Sequence, residues 1–102
     1  MKIIWSRFAI TMLKEIYLYH KDAAGVNVAK KLKSKIFSSV KQLKKHPDSG
    51  QIEKSLEQLG EDHRCLVSGN YKILYKKVKE GILITDIFDS RQDPTKINMP
   101  NR

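Results

Sequence analysis

Cysteine and long apolar runs are both scarce in this sequence. Cys65 is the only cysteine among 102 residues, so the chain cannot form an intrachain disulfide or a metal site built from several thiolates. A single thiol fits a reducing compartment. The apolar start ends at Trp5 and is followed by Ser6 and Arg7, which is too short for a signal peptide. No other window approaches the length of a membrane span. These absences predict a cytoplasmic protein with no membrane partner.

Acidic residues are also in the minority. The chain has 20 Lys and Arg against 11 Asp and Glu, a net charge of +9. This excess favours a nucleic acid or an acidic protein as partner without choosing between them. The length allows one hydrophobic core and not two, so we predict a single domain over residues 1–102. His20, His46 and His63 lack the spacing of a metal site, and we predict neither a metal nor a cofactor.

Two amphipathic helices are predicted in the first half of the chain. Apolar residues at helical spacing predict the first helix from about Arg7 to His20, and Gly25 marks the turn after it. The second helix should end near His46, because Pro47 disfavours helical geometry in the residue before it. Its apolar stripe consists of Ala29, Leu32, Ile36, Val40 and Leu43, with lysines over much of the remainder. The short turn predicts an antiparallel helical hairpin.

The remaining segments are mainly strand-like. Lys2–Trp5 is a short β-prone run, and residues 48–63 predict a loop with a short helical piece. Gly69-Asn70 lies between two alternating runs, which is typical of a hairpin with a two-residue turn. A second turn of three residues is predicted at Lys79–Gly81, before the apolar run Ile82–Phe88.

These turns set a strand register, and the register assigns side chains to two faces. The face expected to pack on the helices consists of Arg64, Leu66, Ser68, Tyr71, Ile73, Tyr75, Lys77, Leu83, Thr85, Ile87 and Asp89. The opposite face consists of Cys65, Val67, Lys72, Leu74, Lys76, Val78, Ile82, Ile84, Asp86 and Phe88. The second face is expected to offer a partner an open surface of charged and apolar side chains. A single bulge would exchange residues between the faces.

Cations of the hairpin are the candidate binding residues. Lys72 and Lys76 share one face, and Arg91 follows the last strand, where it is free to turn toward them. Cations held on a rigid sheet suit phosphate oxygens, and arginine adds bidentate geometry. The alternative is that the lysines are the solvated positions of a half-exposed strand. We predict a phosphate-binding or partner-binding set of Lys72, Lys76, Arg64 and Arg91, although this register places Arg64 on the other face.

Several segments together carry a family resemblance. They are an Ile-Trp-Ser start leading into Ala9 and Leu13, a Lys-rich second helix, His46-Pro47 with Gly50, RCLVSGNYKILY, and IFDSRQDP. In this order and spacing they resemble the RelE/ParE toxins of bacterial type II toxin–antitoxin pairs over nearly the whole chain. The resemblance implies an α+β fold, in which an N-terminal strand and an antiparallel helical hairpin pack on a small, mainly antiparallel sheet. It also implies a cognate antitoxin protein and a toxin–antitoxin hetero-oligomer.

That family divides into two activities. RelE-like members cut messenger RNA in the ribosome without a metal, using the 2′-hydroxyl as nucleophile and basic residues to steady phosphate charge. ParE-like members inhibit DNA gyrase and lack that catalytic set. The resemblance gives Lys72 the place of an arginine on the central strand, and Arg91 the place of the arginine after the last strand. Arg64 resembles a basic position one strand earlier.

One departure from the nuclease pattern favours a ParE-like or an attenuated toxin over an efficient nuclease. The position where nuclease members often carry a Tyr or His for proton transfer corresponds to Ile97, and no Tyr or His follows Tyr75. Proton transfer needs a group of suitable pKa within reach. We therefore predict a ParE-like gyrase inhibitor. The alternatives are a RelE-like endoribonuclease with Lys72, Arg91, Arg64 and His63 as catalytic residues, and a non-toxic basic nucleic-acid-binding module.

Overall fold

The computed structural model describes residues 1–97, and in this part of the chain two long helices pack on one face of a five-stranded sheet. The order of elements is β1 (Lys2–Trp5), α1 (Arg7–Ala24), α2 (Val26–Gln42), β2 (Gln51–Ile52), β3 (Arg64–Ser68), β4 (Tyr71–Val78) and β5 (Gly81–Asp89). The sheet order is β1-β5-β4-β3-β2, with β1 parallel to β5 and the other pairs antiparallel. The predicted α+β fold is confirmed. The end of the predicted domain, residues 98–102, lies outside the described residues.

Each helix starts near a residue that the sequence marks, but neither ends where predicted. Helix α2 ends at Gln42 and not near His46, because the N–H groups of Leu43, Lys44 and Lys45 bond three residues back in turns. The Ser6 hydroxyl caps α1 by accepting a hydrogen bond from the Ala9 N–H at 3.0 Å. Helix α1 runs past its predicted end at His20, because no helix breaker occurs before Gly25. Gly25 has a φ of 95°, a conformation that glycine adopts at little cost, and it alone separates α1 from α2. No helix within residues 1–97 is both long and apolar enough to cross a membrane.

The main core lies between the helical hairpin and the sheet face that carries both tyrosines, as predicted. Its helical side consists of Ala9 and Leu13 from α1 with Ile36, Val40 and Leu43 from α2 and the turn after it. Its sheet side consists of Tyr71, Ile73, Tyr75, Ile82, Ile84 and Ile87. Burial of these apolar side chains is the dominant favourable term for folding.

The predicted register is right for β3 with β4 and wrong for the far half of β4 with β5. Ser68 pairs with Tyr71 across the two-residue turn at Gly69-Asn70. Beyond Leu74 a bulge shifts the pairing with β5, so that Tyr75 lies opposite Ile84. Val78 pairs with Gly81, and the second turn therefore contains two residues instead of three.

The bulge changes which residues of β5 enter the core. Ile82 and Ile84 were assigned to the face away from the helices, yet both are fully buried in the helix-facing core. Leu83 moves the other way and pairs with Lys76. One extra residue in a strand is enough to move the side chains beyond it to the other face, because side chains alternate with a period of two.

The opposite face of the sheet is covered by the chain itself, so the prediction of an open surface there is wrong. After β2 has joined the sheet edge beside β3, a 3-10 helix, Lys54–Leu59, which ends at Gly60, lies over this face. After β5 the chain returns through a 3-10 turn, Pro94–Lys96. These segments bury a second apolar cluster of Leu56, Cys65, Leu74, Phe88 and Ile97. Asp86, expected on the open surface, is fully buried.

Candidate functional site

The cations of the β3–β4 hairpin meet one neighbouring stretch of chain, residues 48–63, which we call the acidic segment. It contains five carboxylates and a single lysine, Lys54. Lys72 contacts Glu53 at 3.1 Å, and Lys76 contacts Glu61 at 2.8 Å. On the helix-facing side, Asp48 contacts Lys77. The segment therefore places negative charge against both faces of the hairpin.

The pair of Lys72 and Glu53 is the most enclosed of these contacts. The Lys72 ammonium donates to one oxygen of Glu53, and the Ser55 hydroxyl and N–H donate to the other at 2.7 and 3.3 Å. Glu53 is only 6% exposed. Burial acts to raise the pKa of Glu53, but the hydrogen bonds from Ser55 and Lys72 outweigh it, and the net shift is downward. The carboxylate is therefore held in its charged form beside Lys72.

The outer pairs are more open to water. A hydrogen bond from Lys77 is the main cause that lowers the pKa of Asp48, and a hydrogen bond from Lys76 does the same for Glu61. Both carboxylates stand at the surface, where water and salt weaken such contacts. These pairs balance charge locally and contribute little to stability.

Tyr75 fixes the first part of the acidic segment, a role that the sequence did not indicate. Its hydroxyl accepts a hydrogen bond from the Gly50 N–H at 2.9 Å and donates one to the Pro47 carbonyl at 3.0 Å. The Arg64 guanidinium donates to the Gly50 carbonyl at 2.8 Å. Arg64 thus holds the backbone of the acidic segment and lies on the helix-facing side, as predicted. Arg64 follows Gly50 by 14 residues and Tyr75 follows Pro47 by 28, so no local pattern in the sequence indicates these contacts.

Arg91 lies apart from Lys72. Its guanidinium makes a bidentate contact with Asp89, with donor–acceptor distances of 2.9 and 2.8 Å. Asp89 pairs with Tyr71 on the helix-facing side of the sheet, whereas Lys72 points to the other side. Arg91 therefore does not lie with Lys72 and Lys76, toward which its place in the sequence left it free to turn.

A cavity of about 360 Å³ opens beside Arg91, between α1 and the end of the sheet. It is lined by Met12, Glu15, Ile16, Tyr19, Tyr71, Ile87, Asp89, Arg91 and Gln92. Tyr19 is well exposed at this cavity, and the Tyr71 hydroxyl lies 2.9 Å from the His20 ring nitrogen Nε2. The cavity thus combines apolar walls, an exposed aromatic ring and a charged rim.

His63, the candidate proton carrier, and Ile97, at the position where nuclease relatives often carry Tyr or His, are both buried. His63 is 4% exposed, and its Nδ1 has no hydrogen-bond partner among residues 1–97. Burial, followed by the nearby charge of Lys76, lowers the pKa of His63. Ile97 is 4% exposed and packs in the second apolar cluster. In the described part of the chain, no group of three or more His, Cys, Asp or Glu side chains is arranged to hold a metal ion.

Comparisons with known proteins identify the family. The family described as "ParE toxin of type II toxin-antitoxin system, parDE" matches residues 3–94. Among solved structures, the chain is similar to one titled "Chromosomal ParDE TA system from P. aeruginosa", with a TM-score of 0.73 and 22% sequence identity. That match covers 87% of this chain and 95% of the other, and at this identity it shows a shared fold. A search of curated proteins found no match. Because the family match spans most of its residues, this chain belongs to the ParE toxin family of type II toxin–antitoxin systems.

Proposed function

We propose that this protein inhibits growth by binding DNA gyrase, and that a cognate antitoxin neutralises it in a hetero-oligomeric complex. The observation that carries the gyrase proposal is the dispersal of the residues that an RNA-cleaving relative would need. Lys72 is paired with Glu53 on one side of the sheet, and Arg91 is paired with Asp89 on the other. A binding inhibitor needs a complementary surface and not a convergent catalytic set.

A group that can transfer a proton is the first requirement of an RNA-cleaving enzyme. A general acid or base must reach the reacting atom and have a pKa near the working pH. Ile97 has no titratable group, and it is buried among apolar side chains. His63 is enclosed, and its lowered pKa favours the neutral ring. This arrangement supports an inhibitor that acts without chemistry of its own.

Cations that bind the reacting phosphate are the second requirement of an RNA-cleaving enzyme. In-line cleavage of RNA concentrates negative charge on one phosphate, and catalysis requires cations that converge on it. The Lys72 ammonium is already neutralised by a buried carboxylate. Releasing it to a phosphate would leave Glu53 charged and unpaired in a buried position, which is costly.

The cavity beside Arg91 supports the proposed antitoxin contact. A partner segment with an apolar side chain would bury it against Met12 and Ile16, and an acidic neighbour would meet the Arg91 guanidinium at the rim. An acidic segment would also be drawn to a chain of net charge +9. We propose that the antitoxin orders such a segment in this cavity when it binds.

Two measurements on cells that express the protein test the gyrase proposal. We expect plasmid DNA to lose negative supercoiling soon after induction, while messenger RNA stays intact. Purified protein should also inhibit supercoiling by purified gyrase. Cuts in ribosome-bound messenger RNA with normal supercoiling would establish the RelE-like alternative. Normal growth with neither effect would leave a non-toxic basic nucleic-acid-binding module.

Arg91→Ala is the informative variant for this surface. Its side chain is exposed, so its removal should weaken neutralisation by the antitoxin and leave the fold intact. Lys79→Ala is the matched control, because Lys79 lies in the exposed turn between β4 and β5. Lys72→Ala leaves Glu53 as a buried charge without its cation, so any loss of toxicity in this variant must be read against its thermal stability. Neutralisation of Arg91→Ala as complete as that of the wild type would remove this cavity rim from the proposed antitoxin contact.

A further inference from the structure

The largest block of unbalanced charge lies on α2 and the turn after it. From Ala23 to Pro47 the sequence has seven lysines and neither Asp nor Glu. The lysines are Lys30, Lys31, Lys33, Lys35, Lys41, Lys44 and Lys45. None of them forms a salt bridge with another residue of the 1–97 region, where the ion pairs involve the sheet strands and the segments beside them. This surface, which we call the lysine face, therefore carries most of the net charge of +9.

Helical geometry aligns part of the lysine face into a row. Residues of an α-helix advance by 100° each, so Lys30, Lys33, Phe37 and Lys41 fall within one narrow arc. Ala29, Ile36 and Val40 lie on another side of α2 and are buried in the core. The row spans roughly 17 Å, about the length of five base pairs of duplex DNA.

Aromatic side chains support the row from below. The Lys33 ammonium lies 5.5 Å from the ring centre of Tyr17 and 5.9 Å from that of Phe37. The Trp5 and Phe37 rings lie 5.4 Å apart. Such contacts hold the lysine stem while its charged end stays in water. A cationic surface that is already ordered loses less freedom when it binds an anion.

The chemistry of the lysine face fits a phosphate backbone better than a folded or extended protein. Peptide segments are usually anchored by side chains in apolar pockets. Neither the cavity beside Arg91 nor a second one of about 350 Å³, between the acidic segment and Arg64 and Lys77, has a lining residue from α2. The apolar side of α2 is occupied by the core and cannot enter a membrane surface. Lysine ammonium groups spread along a helix suit regularly spaced phosphates.

We propose that the lysine face binds the phosphate backbone of duplex DNA without reading its sequence. This contact goes beyond inhibition of gyrase, and it does not depend on it. In the cell it would hold the protein on DNA, where any DNA-bound target is met at a raised local concentration.

The test compares two triple variants of the full chain that lose the same charge. The face variant is Lys30→Gln, Lys41→Gln and Lys44→Gln. The control variant is Lys54→Gln, Lys79→Gln and Lys96→Gln, at exposed positions away from α2. Both variants fall by three charges from +9. Binding to a fluorescent 20-base-pair duplex of arbitrary sequence is measured by anisotropy from about 50 to about 200 mM salt.

If Lys44 of the following turn joins Lys30, Lys33 and Lys41 in contacting phosphates, there are roughly four contacts at about −0.9 each, and the wild-type affinity should fall with salt with a logarithmic slope of about −3.6. The face variant should bind about 10-fold or more weakly at low salt, with a slope shallower by about 2.7. The control variant should stay within about 3-fold of the wild type and keep its slope. Circular dichroism and thermal unfolding check that each variant folds. A variant with three Arg in place of the three Gln should retain binding.

Equal loss of affinity in both triple variants would show that net charge alone attracts DNA and would overturn the proposal. So would the absence of binding at low salt, or tighter binding to a polyglutamate peptide than to the duplex. The gyrase assay on the same variants separates the two proposals. A face variant that loses DNA binding but still inhibits gyrase supports DNA binding by the lysine face and leaves the gyrase proposal standing. Failure of the wild type to inhibit gyrase, with DNA binding retained, removes only the gyrase proposal.

Discussion

The β3–β4 hairpin and helix α2 are both rich in lysine, but the fold treats them differently. Lys72, Lys76 and Lys77 of the hairpin each meet a carboxylate of the acidic segment. The seven lysines of the lysine face meet none within residues 1–97. The number of lysines in a segment therefore does not show whether its surface is electropositive, because neighbouring carboxylates can neutralise them. The hairpin is nearly balanced by its neighbour, and the net charge is concentrated on the helix.

The acidic segment owes its position to packing as well as to charge. Leu56 inserts into the second apolar cluster, while Gly50 sits against the ring of Tyr75. Substitution of the carboxylates does not alter the side chains that make these packing contacts, and enlarging Gly50 does not remove any carboxylate. The contributions of packing and charge to the hairpin can therefore be separated by substitution.

Gly50→Ala should have the largest effect on this docking. An added methyl group would lie 2.6 Å from the Tyr75 hydroxyl and 2.7 Å from the Cys65 carbonyl oxygen. The Tyr75 ring would have to move, which breaks its hydrogen bonds to Gly50 and Pro47. We expect a loss of about 2–4 kcal/mol in the free energy of unfolding, measured with urea.

Gly60→Ala is the control for the Gly50 substitution. No atom lies within 4 Å of the added methyl group there, and the cost comes only from the left-handed backbone at φ 64°. That cost should be about 1–2 kcal/mol. Equal losses in the two variants would mean that the Tyr75 contact does not hold the acidic segment.

Glu53→Gln should have the next largest effect. The amide keeps the size of the side chain but leaves the Lys72 ammonium without its charged partner. Because Glu53 is buried and Lys72 is partly exposed, we expect a loss of about 1–3 kcal/mol in unfolding free energy. The double variant Glu53→Gln with Lys72→Gln should recover part of the loss. Additive losses would show that the two side chains do not interact.

Acid should weaken the acidic segment before it unfolds the helices. The pKa values of Asp48, Glu53 and Glu61 lie below their ordinary values of 3.8, 4.5 and 4.5. A lowered pKa stabilises the folded state above the ordinary value, and this contribution is lost as the pH falls through the folded value. We expect the unfolding free energy to decline from about pH 4.5 downward. Glu53→Gln should make that decline shallower, and an unchanged profile would contradict the pairing.

The parts of the fold that were predicted from sequence rest on local signals. The Gly69-Asn70 turn fixed the pairing of Ser68 with Tyr71, because a two-residue turn leaves one register. The second turn has no such signal, and Lys79-Glu80 gave no reason to prefer two residues over three. The bulge beyond Leu74 follows from packing Ile82 and Ile84 against the helices. Tertiary packing of this kind is not encoded in the strand itself.

The sequence predicted which sheet face carries Lys72, but not the partner that this side chain meets. Lys72 was singled out correctly as a cation on the outer sheet face, but its partner lies 19 residues earlier in the chain. Residues 48–63 have little hydrophobic pattern, so nothing local placed Glu53 against the sheet. Their surplus of carboxylates was the available signal, since it complements the cations of the hairpin that follows.

Lys30→Gln should have the smallest effect on stability. Lys33 lies one turn away on the same side of α2, so the substitution removes a repulsion between like charges. We expect the unfolding free energy to rise, by no more than about 0.5 kcal/mol, at low salt. The gain should vanish near 1 M salt, where the screening length falls to about 3 Å. A loss above about 1 kcal/mol would mean that Lys30 has a stabilising partner, and the contrast between helix and hairpin would fail.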